Sequence, residues 1–70
     1  MTSKEIGRAI RERRRALRLT QAGLAELALC SKPTIIAAEQ GKATLRLDKL
    51  LAILAVLGLA LGVVPEECDA

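Results

Sequence analysis

Apolar residues return every three or four positions through the first two-thirds of the chain, set among arginines and lysines; past Lys49 the basic residues stop. In "TSKEIGRAIRERRRALRL", Ile6, Ile10 and Leu17 share one face of a helix, with Lys4, Arg8, Arg11, Arg15 and Arg18 on the opposite side and Arg14 at the border. Thr2 followed three residues later by Glu5 makes a capping box that starts this helix. A solvated face and a phosphate-facing surface are both open readings of its cations.

"TQAGLAELAL" restarts behind the N-cap Thr20, with Leu24, Leu27 and Ala28 as its inward stripe. "SKPTIIAAEQG" follows at once: Ser31 caps, Pro33 is tolerated in a first turn, Ile35 and Ala38 share an inward face, and Gly41 ends the helix. Only Leu29 and Cys30 separate the two elements, so they must cross steeply, as a helix-turn-helix does. A fourth helix is predicted over Leu47–Leu57, with Asp48 near its positive end and Gly58 at C′. Beyond it, the Val63–Val64 pair and Pro65 of "LALGVVP" point to a short strand.

"LLAILAVLGLALGVV", Leu50 to Val64, holds fifteen residues without a charged or hydrogen-bonding side chain. A transmembrane helix needs about 20 apolar residues, and this run is interrupted by Gly58 and Gly62 and stopped by Pro65. Interfacial binding needs a strongly polar opposite face, which the fourth helix lacks. A helix apolar all round must be covered all round, and helices 1 to 3 can cover one side only. The other side calls for a second copy, with Leu50, Leu54, Leu57, Leu59, Leu61 and Val63 at a two-fold interface. A two-stranded antiparallel ribbon across the dimer would satisfy the strand's N–H and C=O groups. No membrane contact is expected.

Composition sharpens this picture. Seventy residues without Phe, Tyr or Trp must build a core from Leu, Ile, Val and Ala, and a domain of that size is marginal alone. Residues 1–65 carry all eleven Lys/Arg against five acids, and Glu66, Glu67 and Asp69 bring the net charge to +3. The basic body suits a polyanion. Composition leaves nucleic acid and an acidic lipid surface both open as that partner. Residues 1–64 read as one domain that also dimerises, and 65–70 as an acidic tail. Cys30 and Cys68 read as free thiols of a cytoplasmic protein. With no His, no Cys-x-x-Cys, no phosphate-cradling glycine loop and no paired carboxylates, neither a metal, a cofactor nor an enzyme activity is expected.

"RERRRALRLTQAGLAELALCSKPTIIAAEQGK" resembles the helix-turn-helix of the Xre/Cro family of bacterial and phage repressors over roughly residues 5–57. The ending "LRLDKLLAILAVLGLALGVV" resembles the narrower group of HipB-like antitoxins, which close a dimer through a C-terminal strand and often pair with a HipA-like kinase toxin. The implied fold is all-α: a four-to-five-helix lambda-repressor-like domain with a short C-terminal β-strand pairing across a homodimer. The implied function is a homodimeric repressor on a palindromic double-stranded DNA operator, acting in the bacterial cytoplasm on the nucleoid. The alternatives are a protein-interaction module with weak DNA binding and a stand-alone phage-type repressor without a toxin.

The resemblance places helix 3 in the major groove with its N-terminal residues toward base edges. Lys32, Pro33, Ile36 and Ala37 then face bases; Lys32 can donate to guanine O6/N7, while Ile36 and Ala37 offer only apolar contact. Ser31 and Thr34 suit phosphate or base contacts through their hydroxyls. Gln21 matches a family glutamine that holds the DNA backbone, and Gln40, Lys42 and Arg46 are further phosphate candidates. Glu39 matches an acid that the family buries against an arginine of helix 1, here Arg14. The chain departs from the pattern at two turn glycines, replaced by Arg18 and Leu29. Kept in the left-handed conformation, each costs about 1 kcal/mol. Ile36 stands where a serine is common and Ala38 where a core leucine is, which leaves few polar base readers.

Overall fold

The structure, a computed structural model, describes residues 2–42 and 44–62. Among them are four helices: α1 (Ser3–Ala16), α2 (Gln21–Leu27), α3 (Lys32–Glu39) and α4 (Leu47–Val56). Three begin on a hydroxyl cap. Thr2 accepts from the Glu5 N–H, Thr20 from Gly23 and Ser31 from Thr34, each satisfying a donor that the helix leaves without a partner. α4 begins at Arg46 without a side-chain cap.

All four helices end alike. The N–H three residues past the last helical residue returns five positions, and the N–H before it returns three: Leu19 to Arg14, Cys30 to Ala25, Lys42 to Ala37, and Leu59 to Leu54 mark the outer bonds. This is the Schellman closure, which needs a left-handed C′ residue. Gly41 and Gly58 supply it at φ 77° and 71°, but Arg18 and Leu29 hold it at 59° and 56°, in the region where a Cβ is strained.

Ile10, Leu24, Ile35 and Ile53 are fully buried and, with Ala25, Ala28 and Ala38, make a core between the helices. The small residues let the elements approach closely. Gly7 is the extreme case: a Cβ there would lie 2.6 Å from the Glu39 carbonyl oxygen, so α1 crosses α3 backbone to backbone. At the other end of α1, Arg13 Nε donates 2.9 Å to the Leu57 carbonyl, placing a cation on the negative end of α4.

Four expectations need correction. Leu17, placed inward, is 42% exposed because α1 ends at Ala16 and Leu17 is its cap. Leu27 is 58% exposed, since the buried face of α2 runs through Leu24, Ala25 and Ala28. Leu54 and Leu57, assigned to a dimer interface, belong to the protomer's own core at 5% and 1% exposure. No strand forms over residues 59–62, where the Leu59 N–H is taken up in closing α4. Val63 and the acidic tail 65–70 lie outside the described residues.

The apolar surface of α4 is nonetheless only half covered. Leu47 and Leu51 are 61% and 45% exposed, and Leu50, Leu59 and Leu61 are half-buried. Leu54, Leu59 and Leu61 line one open apolar hollow against α1, Leu50 lines a second, and the two share Ile6. No helix among the described residues is long and apolar enough to cross a membrane.

Candidate nucleic-acid interface

α3 owes its place to its inner face. Ile35 and Ala38 are buried, and Glu39 reaches back to α1. Arg14 Nε and Nη2 donate to the two carboxylate oxygens of Glu39 at 2.5 and 3.2 Å, and its Nη1 donates 2.8 Å to the Leu19 carbonyl. The two side chains are 11% and 6% exposed. Every polar atom buried among the described side chains has a partner, so this charged pair sits fully hydrogen-bonded inside the protein.

Gln21 belongs to the same network. Its Nε2 donates 3.2 Å to Glu39, so the amide nitrogen is directed into the protein rather than left reaching for a phosphate. The residue stands half-buried at the first position of α2. Its part in the network was not legible from the chain, because residues 18 positions apart meet only once α2 and α3 have crossed.

The outer side of α3 forms a ridge between two hollows. On one flank, Pro33, Thr34 and Ala37 face Lys42, Thr44, Leu45, Arg46 and Lys49 across an open concavity of about 380 Å³. It gathers five of the residues that the sequence reading assigned to DNA and adds Thr44 and Lys49. Lys49 lies three residues past Arg46, a helical spacing that would have revealed it. Arg46 donates 3.0 Å to Asp48, but both side chains are mostly exposed, at 76% and 61%. Such a pair is worth about 0–1 kcal/mol and opens readily.

Ile36 and Gln40 face the second hollow, between α3 and α1. Lys32 is exposed at the N-terminus of the ridge, beside Ser31. The Ser31 and Thr34 hydroxyls lie 2.9 Å apart and bond each other, which fixes the first turn. Chemically, the ridge offers one cationic donor at its tip, apolar and small side chains along its crest, and cations beside it. That arrangement suits a convex insert in a groove bordered by phosphates. No group of three metal-ligating side chains occurs among the described residues.

A family model described as "Helix-turn-helix domain" matches residues 5–66. The chain belongs to that family, in agreement with the Xre-type resemblance of its motif. No curated protein gives a significant match.

Proposed function

We propose that the protein is a sequence-reading transcriptional repressor that binds a palindromic DNA operator as a homodimer. The observation that carries this reading is the α3 ridge: Lys32 at its exposed tip, held from behind by the Arg14–Glu39 pair, with Lys42, Arg46 and Lys49 on one flank. In the major groove, the exposed face of α3 meets base edges while the flanking cations meet phosphates. The protein works by binding rather than by catalysis.

Dimerisation is supported by the leucines that α4 leaves uncovered and by the hollows meeting at Ile6. A two-fold pair would set its half-sites about 34–36 Å apart, one helical turn of DNA. The antitoxin role, with a HipA-like kinase toxin as partner, is supported only by the resemblance of the C-terminal segment.

Mobility shift with inverted-repeat and random duplexes over a salt series tests the proposal. Binding should weaken steeply with salt and favour one class of repeat. Lys32→Ala should relax preference at one base position by about 1–3 kcal/mol. Equal affinity for all duplexes would reject sequence reading and favour the second reading, a protein-interaction module. The scarcity of polar readers along Pro33, Ile36 and Ala37 is the observation behind that second reading.

A further inference from the structure

The hollow on the α1 side of α3 is the polar counterpart of the one beside Lys42. Arg11 and Arg15, one helical turn apart on α1, form its outer wall, and Ile36 and Gln40 of α3 form the facing wall. Its remaining lining is the Arg14–Glu39–Gln21 network, in which the buried charges are already matched. Arg11 and Arg15 are exposed, and neither is ion-paired among the described residues. The hollow, about 380 Å³ in volume, therefore presents two uncompensated guanidinium groups beside Ile36 on the ridge.

From this arrangement we infer that Arg11 and Arg15 form a second phosphate seat for the DNA backbone, on the side of α3 opposite to Lys42, Arg46 and Lys49. The inference rests on the DNA-binding reading above and extends it to a helix outside the helix-turn-helix itself. A major groove about 12 Å wide is bordered by two rows of phosphates. A helix seated in it with cations on one flank alone would engage one row and leave the other to solvent. The two arginines provide for the second row, and guanidinium forks match phosphate geometry in a bidentate manner. They carry no base information, so they hold the ridge in register rather than choose a sequence.

The test is the salt dependence of binding to a short labelled duplex of random sequence, which isolates phosphate contacts. Each phosphate neutralised contributes about 0.9 to the slope of log affinity against log salt. Arg11→Ala/Arg15→Ala should lower that slope by about 2, while Lys4→Ala/Arg8→Ala, which removes the same charge from the same helix outside the hollow, should lower it by less. Thermal melts followed by circular dichroism confirm that each variant is folded, and Arg11→Gln/Arg15→Gln replaces the alanine variant if it is not. An unchanged slope in the Arg11/Arg15 variant, with the parent protein binding normally, overturns the seat and leaves the DNA-binding reading standing. Equal losses in both double variants also overturn it, since net charge would then suffice. A parent protein without salt-dependent binding removes the DNA-binding reading and the seat with it.

Discussion

Arg14 on α1 grips Glu39 on α3 through two hydrogen bonds, with both side chains nearly withdrawn from solvent. Removing one partner leaves a buried charge unmatched, so Glu39→Ala or Arg14→Ala should destabilise the fold by about 3–5 kcal/mol. Replacing both by apolar residues of similar size should restore much of that loss, because the desolvation cost disappears with the charges. Urea denaturation of the two single variants and Arg14→Met/Glu39→Leu checks this. If the double variant is as weak as the sum of the singles, the pair is not a coupled unit.

Arg18 and Leu29 do a glycine's work at two helix ends. Arg18→Gly and Leu29→Gly should each stabilise the protein by about 1 kcal/mol, by relieving the left-handed conformation. Leu29 is 84% exposed, so little burial is lost with its side chain. For a domain of this size, that gain should raise the melting temperature by about 4–8 °C per substitution. Calorimetry that finds no rise would show that the surrounding turn already absorbs the strain.

Gly7 tests whether the α1–α3 crossing is as tight as its backbone contact indicates. Alanine gains about 1 kcal/mol in helix propensity, but its methyl group would press on main-chain oxygens of Ala38 and Glu39 that have no flexible side chain to yield. Overpacking of that kind costs about 1–3 kcal/mol. Gly7→Ala is expected to be destabilising on balance, and a chemical melt with an upward-shifted midpoint would contradict it.

The fourth helix separates two kinds of leucine. Leu51→Glu, on the uncovered side, should leave the protomer folded but abolish the proposed dimer, whereas Leu57→Glu, on the buried side, should unfold the chain. Sedimentation across a protein dilution series, with circular dichroism beside it, distinguishes the outcomes. An unchanged association state in Leu51→Glu would remove this face from the interface.

These residues also mark what could be read from the chain. Helix starts were legible because capping is local chemistry: Thr2, Thr20 and Ser31 each serve an N–H three residues away. Which side of α4 points inward was not legible. A helix that is apolar all round gives its periodicity no phase, so Leu54 and Leu57 could not be told from Leu47 and Leu51. Arg13 on the Leu57 carbonyl and Gln21 on Glu39 depend on helix crossings and have no counterpart in spacing. At the candidate interface, the residues of α3 and the turn after it were read from the motif. The two hollows required the packed arrangement of α1, α3 and α4.

The fastening of α3 lies entirely behind it, in Ile35, Ala38 and Glu39 and the main-chain crossing at Gly7. Among the described residues the Lys32 side chain makes no hydrogen bond, and those of Pro33 and Ile36 can make none, so new residues could be grafted onto the outer crest without disturbing the mount. The scaffold is, in engineering terms, a holder with an exchangeable stylus.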